Sequence, residues 1–315
     1  MSTPTDQPAA VAYPYQTEPL PPDANTPLAG NHPAHVVAIN PDDPPWGLLG
    51  ATGLVIGSLA FIILLQIFAI APYFVWRAMN SLPLMEGGQP DKNVILISVI
   101  AMLPAHLLTL ALAWFIVTGK GKRAFWDMLG WAWNPRYGFV ADIAACVGIT
   151  IGLYGIGVAL SYLFGNQETE LIRIINSSQA ARYAVVVMAV LTAPLVEEVV
   201  YRGVLYPALQ RRIGRLWGVV GVMSVFALIH VPQYYPNYGA ISAIVVLSFA
   251  LTLVRAYTGR LLPCVIIHTI FNSLSSVGIL LEPYFKNMPT VTDEKTSSLI
   301  LPYVLHAAQF VSLFF

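Results

Sequence analysis

The sequence predicts an all-α fold, a polytopic bundle of about eight transmembrane helices preceded by a disordered N-terminal tail. Hydrophobic residues make up 57% of the 315 residues and charged residues only 10%, whereas a soluble domain carries about 25% charged residues. Apolar stretches of about 20 residues, the length of a membrane-spanning helix, recur along the chain. Residues 1–45 contain no such stretch and are rich in proline.

Eight apolar stretches carry this prediction, although the fourth is interrupted by charged residues and the fifth is short. They run at about Leu48–Val75, Val94–Val117, Phe139–Phe164, Tyr183–Leu205, Leu216–Val231, Tyr238–Ala256, Leu261–Leu281 and Leu299–Phe315. A further segment, Asn166–Arg182, mixes charged and apolar side chains. That pattern is typical of a helix at the membrane interface, with a plain loop as the alternative.

We interpret residues 1–45 as a cytoplasmic tail and residues 46–315 as the transmembrane domain. The tail is rich in Pro, Asp, Thr and Ala, a composition typical of disordered chain. The 16 basic and 16 acidic residues balance, so the charge provides no surface for nucleic acid. Cys146 and Cys264 lie in apolar stretches, which favours free, packed thiols over a disulfide or a metal site.

The distribution of Lys and Arg between the spans predicts that both termini face the cytoplasm. With eight spans, the cytoplasmic side carries Lys120, Lys122, Arg123, Arg136, Arg211, Arg212, Arg215, Arg255 and Arg260. The opposite side carries Arg77, Lys92, Arg173, Arg182, Lys286 and Lys295.

Ionisable residues in the fourth span are informative, because a charge at the centre of a transmembrane helix costs roughly 2.5–3.5 kcal/mol. Glu198 and Arg202 are four residues apart, so they share a helix face and can form an ion pair. Glu197 is rotated by about 100° from Glu198 and is less neutralised by Arg202, as a general base or acid requires. The alternative is a buried ion-pair network that only fixes helix packing.

Two later spans also carry polar side chains. The fifth ends in His230, and the seventh contains His268 and Asn272, which share a face because they are four residues apart. Polar contacts between helices are the alternative interpretation of these residues. His106 and His306 occur singly in the second and eighth spans, and for both we prefer a packing role.

A count along the helices predicts that these polar groups meet. Glu198 and His230 lie equally far from the basic loop that joins their spans, about 21 Å at 1.5 Å per residue, so an antiparallel hairpin places them level. His268 follows Arg260 by only about 12 Å. His268 would then lie at a different depth from Glu198 and His230. The depths agree if the basic end of the fourth helix projects beyond the membrane.

Three motifs in this order resemble those of a known family. They are Glu197-Glu198-x-x-x-Arg202, Phe226-x-x-x-His230 and His268-x-x-x-Asn272. The chain thereby resembles the intramembrane CAAX-protease and bacteriocin-processing family (CPBP), which includes the type II CAAX prenyl endopeptidase. The resemblance covers about Tyr183–Ser276, within a predicted catalytic core at residues 182–282.

The resemblance implies hydrolysis of peptide bonds within the membrane. The catalytic residues that it implies are Glu197, Glu198, His230, His268 and Asn272. Glu197 would activate water with help from His230, whereas Glu198 and its ion-pair partner Arg202 would organise the helix. His268 and Asn272 would bind a metal or stabilise the oxyanion.

Two versions of this chemistry stay open. As a metalloprotease, the chain would hold a divalent metal, such as zinc, through Glu197, His230 and His268. Without metal, the glutamate would act as general base, and histidine and asparagine donors would form the oxyanion hole.

The predicted function is therefore an intramembrane endopeptidase for membrane-associated peptides or proteins, which the family name suggests are lipidated. One alternative is a proton- or ion-coupled transporter that uses the same Glu, His and Arg side chains as a relay. It predicts inverted repeats or paired broken helices, and the sequence displays neither. Another alternative is a catalytically silent relative that acts as a membrane scaffold or immunity protein.

Overall fold

Helices dominate the structure, a computed structural model that describes residues 42–83, 85–86, 89–164 and 167–286. The helices α1 to α10 are, in chain order, Leu48–Met79, Lys92–Thr118, Phe125–Met128, Gly138–Phe164, Glu170–Ser177, Gln179–Val187, Ala193–Glu198, Tyr206–Tyr234, Tyr238–Thr258 and Leu262–Lys286. Between α1 and α2, the two-residue strands β1 (Met85–Glu86) and β2 (Gln89–Pro90) pair antiparallel. The predicted all-α fold is confirmed.

Six helical stretches of the described chain are long and apolar enough to cross a membrane. Five of them, α1, α2, α4, α9 and α10, correspond to the predicted spans one, two, three, six and seven. The predicted fourth and fifth spans lie together in one helical stretch, Gln179–Tyr234. The predicted eighth span, Leu299–Phe315, lies outside the described residues.

The stretch Gln179–Tyr234 folds back on itself at Gly214. This residue has φ 83° and ψ 166°, a conformation that is accessible to glycine without strain. Gly218 then packs so closely on Gln210 that a Cβ at Gly218 would lie 3.1 Å from the Gln210 nitrogen. Farther along, the rings of Tyr201 and Phe226 meet edge to face at 5.1 Å. The two arms are therefore antiparallel, and we call them the Gly214 hairpin.

Two π-helical turns interrupt the first arm on either side of α7. They span Met188–Thr192 and Val199–Leu205. Pro194 lies in the first turn of α7, and a proline ring clashes with the carbonyl four residues earlier in a regular α-helix. A widened turn before Pro194 relieves that clash. Single π-helical turns inside α-helices often mark functional sites.

The Gly214 hairpin extends past the loop that precedes α10. Gly203 packs against Leu129 and Leu261, because a Cβ at Gly203 would lie 3.1 and 3.4 Å from their side chains. Gly214 is eleven residues farther along the arm, about 16 Å at 1.5 Å per residue. The basic end of the hairpin thus extends beyond this loop, which provides the offset between Glu198 and His268 that the count along the helices required.

The chain before α1 is bound to the same end of the bundle. Arg255 pairs with Asp42 at 2.9 Å, and the Trp46 indole N–H donates to the carbonyl of Val204 at 3.0 Å. Asp42 lies within the predicted tail of residues 1–45, so the end of that segment contacts the bundle. Residues 1–41 lie outside the described part.

The predicted interfacial segment forms the short helix α5, capped by the Thr169 hydroxyl. Helix α6 begins two residues after α5 ends and continues into the first arm of the hairpin. Cys146 and Cys264 are buried and free, as predicted.

Candidate active site

A buried ion pair joins the first hairpin arm to α9. The Arg202 guanidinium donates to Glu198 Oε1 at 3.0 Å, and both side chains are inaccessible to solvent. Its other N–H groups donate to the Ser248 hydroxyl at 2.8 Å and the Thr252 hydroxyl at 3.2 Å. The guanidinium also lies over the Phe226 ring. Each guanidinium nitrogen has a partner, which offsets the cost of burying the charge.

His268 on α10 lies between the two adjacent glutamates. Its Nδ1 is 2.8 Å from Glu198 Oε1, and its Nε2 is 3.9 Å from Glu197 Oε2. An ionised carboxylate can only accept hydrogen bonds, so Nδ1 carries a proton in this contact. The free nitrogen, Nε2, consequently faces Glu197.

His230 on α8 presents the same nitrogen to Glu197 from the other arm. Its Nδ1 donates to the carbonyl of Phe226 at 2.7 Å, and its Nε2 is 4.0 Å from Glu197 Oε1. The ring stacks on Phe226 at 4.4 Å. Both Nε2 distances exceed hydrogen-bond length. Glu197 thus lies between two oriented imidazoles without a direct bond to either.

Glu197 and Glu198 differ in their surroundings although they are neighbours in sequence. The Glu197 side chain is 24% exposed, whereas that of Glu198 is fully buried. Glu197 and His230 border a cavity of about 90 Å³ whose wall also includes Ser58, His106 and Tyr201. That volume holds about three water molecules at 30 Å³ each and is well below the roughly 300 Å³ of a small ligand pocket.

Asn272 contacts a different part of the same arm. Its side-chain amide donates to the carbonyl of Ala189 at 2.8 Å, inside the first π-helical turn. Asn272 and His268 both extend from α10 towards the first arm; Asn272 contacts the π-helical turn before α7, and His268 contacts the last residue of α7. The structure therefore brings five predicted residues, Glu197, Glu198, Arg202, His230 and His268, into one cluster and attaches Asn272 to the backbone nearby.

The predicted metal ligands do not form a ready metal centre. Among the described residues, no three His, Cys, Asp or Glu side chains are grouped as metal ligands. The carboxylate of Glu197 and the imidazoles of His230 and His268 are donor types that suit zinc. Zinc-binding histidines usually donate their other ring N–H to a protein oxygen, as Nδ1 of both histidines does here. Their spacing in this structure does not fit an ion held by all three.

The sequence interpretation missed three residues of this region. His106, for which it preferred packing, lies at the cavity. Ser248 and Thr252, which bind Arg202, were not recognised as its partners. Their spacing of four residues in the apolar helix α9 puts them on one face, and that polar pair is the signal that could have identified them.

Comparison with known proteins adds one finding. Residues 179–274 match the model of the type II CAAX prenyl endopeptidase Rce1-like family. The match confirms the resemblance expected from the three motifs and covers α6 to the middle of α10. It supports a CAAX-protease type of function for this membrane protein. No match was found among curated proteins or among solved structures.

Proposed function

We propose that this protein is an intramembrane endopeptidase in which Glu197 is the general base. One observation carries the proposal: the Glu197 carboxylate borders a water-sized cavity and lies about 4 Å from the Nε2 atoms of His230 and His268. These residues belong to the Rce1-like segment.

The reaction follows from this placement. A water hydrogen-bonded to Glu197 attacks the scissile carbonyl carbon while its proton moves to the carboxylate. The C–O bond forms as the carbonyl π electrons move to oxygen. The protonated Glu197 then gives its proton to the amide nitrogen as the C–N bond breaks. Products are a carboxylic acid and an amine, so atoms and charge balance.

The two histidines assist at Nε2. Because Nδ1 of each ring is held by a protein oxygen, the ring is oriented and its remaining nitrogen faces the reacting water. With Nδ1 protonated, Nε2 of the neutral ring accepts a hydrogen bond from the water and orients it for attack on the carbonyl.

We further propose that the substrate is a membrane-associated peptide with a prenylated CAAX end, the substrate class in the name of the matching family. The observed cavity is too small to enclose a peptide. We also propose that the end of the bundle with Arg211, Arg255 and Arg260 faces the cytoplasm, following the excess of Lys and Arg there.

The test uses purified protein in lipid bilayers and an internally quenched peptide that ends in a farnesylated CAAX sequence. We expect cleavage by the wild type, loss of at least 100-fold in Glu197→Gln, and wild-type rates in Glu170→Gln. The control is suitable because Glu170 is an exposed glutamate on α5 that pairs with Arg173 on the same helix.

Metal content is measured in parallel. One zinc per chain that disappears in His230→Ala would favour the metalloprotease version, whereas full activity after exhaustive chelation would favour the metal-free version. Cleavage by Glu197→Gln at the wild-type rate would rule out Glu197 as the base.

A further inference from the structure

His106 on α2 lies outside the Rce1-like segment and none of the three motifs includes it. Its side chain is buried, with a relative exposure of 5%, and it lies in the wall of the cavity that Glu197 and His230 border. An imidazole that only packed in a bilayer would not need to adjoin a cavity at the candidate base.

The ring of His106 is anchored as the two motif histidines are. Its Nδ1 forms a 2.9 Å hydrogen bond with the Thr192 hydroxyl at the end of the first π-helical turn. In His230 and His268, Nδ1 is likewise bound to a protein oxygen. All three histidines therefore have Nε2 as their free nitrogen; His230 and His268 lie about 4 Å from Glu197, and His106 shares a cavity wall with it.

We propose that His106 Nε2 binds the water that Glu197 activates, which makes His106 a third imidazole of the hydrolytic site. The inference rests on the proposed function for its catalytic meaning. The cavity has room for about three water molecules, and a buried water needs two to four polar partners. Glu197, His230 and His106 provide three partners from three different helices.

The cavity wall also includes the polar residues Ser58, Thr109, Tyr201 and Gln233, and two of these have their hydroxyl hydrogens engaged. The hydroxyls of Ser58 and Thr109 donate to backbone carbonyls of their own helices, at 2.7 and 2.8 Å. Their hydrogens are used, and they contribute shape and an acceptor. On α2, His106 is thus the residue whose free ring nitrogen is available to a water, whereas Thr109 has its hydroxyl hydrogen engaged.

Two substitutions of His106 separate water binding from packing. In His106→Gln, the side-chain amide reaches the position of Nε2, and the contact with Thr192 is lost. In His106→Asn, the side-chain amide takes the position of Nδ1 and keeps the hydrogen bond with Thr192, but no polar atom reaches the water. We expect His106→Asn to lower kcat by roughly 10- to 100-fold, the scale of a misplaced reactant, with KM within about twofold.

His106→Gln should retain kcat within about threefold of wild type, and Ser98→Ala, a polar deletion elsewhere on α2, should match wild type. Cleavage of the farnesylated peptide measures all of these, and thermal unfolding confirms that each variant folds. If His106→Asn is as active as His106→Gln or more so, the Thr192 contact is what matters, and the proposal is overturned.

A second measurement does not depend on hydrolysis. In ¹⁵N-histidine-labelled protein in bilayers, the signal that disappears in His106→Gln should have a cross-peak between Nε2 and water. If the cross-peak is missing, the proposal is wrong whatever the activity. If it is present but the wild type cleaves nothing, the water site stands and the proposed peptidase function fails.

Discussion

Glu198 anchors the imidazole of His268, because Nδ1 of His268 lies 2.8 Å from Oε1 of Glu198. The same Oε1 accepts the hydrogen bond from Arg202. Glu198 is therefore occupied by a cation on one side and an imidazole on the other. Its neighbour Glu197 has no such partner and borders the cavity. The pair divides into one carboxylate that holds the site together and one that is free to accept a proton.

This division predicts opposite effects for the same substitution. Glu198→Gln leaves the Arg202 charge buried and uncompensated, so the free energy of unfolding should fall by about 3–5 kcal/mol. Glu197→Gln should change it by less than about 1 kcal/mol, because Glu197 makes no close ion pair. Chemical unfolding in detergent, followed by tryptophan fluorescence, measures both. Equal stability of the two variants would contradict the assignment.

Arg202→Lys should also destabilise the protein, although the charge is retained. The guanidinium reaches Glu198, Ser248 and Thr252 at once, and a single ammonium group cannot reproduce that fork. We expect a loss of about 2 kcal/mol or more, since at least one buried hydroxyl loses its partner. Arg212→Lys, on the exposed hairpin end, is the control and should unfold like the wild type.

Asn272 offers a test of two roles that the sequence left open. Its contact with the Ala189 carbonyl predicts that Asn272→Ala loses about 1–2 kcal/mol of stability together with activity, since a buried carbonyl loses its donor. An oxyanion donor would instead lose activity alone. Parallel unfolding and cleavage measurements separate the two, and unchanged stability would show that the backbone contact is not the important one.

Much of this site could be predicted from helix geometry. The spacing of four residues between Glu198 and Arg202 predicted their ion pair, and the count along the two arms predicted that Glu198 and His230 would be level. The Glu197–His230 approach agrees with that count. These predictions succeed because a transmembrane helix has a fixed rise and few other conformations are open to it.

Other features depend on contacts between distant residues and could not be predicted. The π-helical turn Met188–Thr192 arises beside Pro194 and receives the Asn272 amide, which is far away in sequence. His106 was assigned to packing because a single histidine in an apolar span has no motif. Its position becomes evident only when α2 lies against α7.

The far end of the α1–α2 pair provides a prediction about pH. Asp91 caps α2 and pairs with Arg77 at 2.7 Å. Burial would raise the pKa of the Asp91 carboxyl, but the Asn93 backbone N–H, the Tyr73 hydroxyl and the Arg77 guanidinium together hold the pKa below its ordinary value of 3.8.

A carboxyl whose pKa is lowered in the folded state contributes stability above its unfolded pKa, and this contribution disappears as pH falls through the folded value. Asp91→Asn keeps a capping side chain but removes the charge. The variant should therefore melt below the wild type at pH 7, and the difference should shrink below about pH 3.8. Melting temperatures at pH 7, 5 and 3 measure this. Asp43→Asn, whose side chain is 70% exposed, should produce little change, and a pH-independent difference for Asp91→Asn would show that its charge does not stabilise the fold.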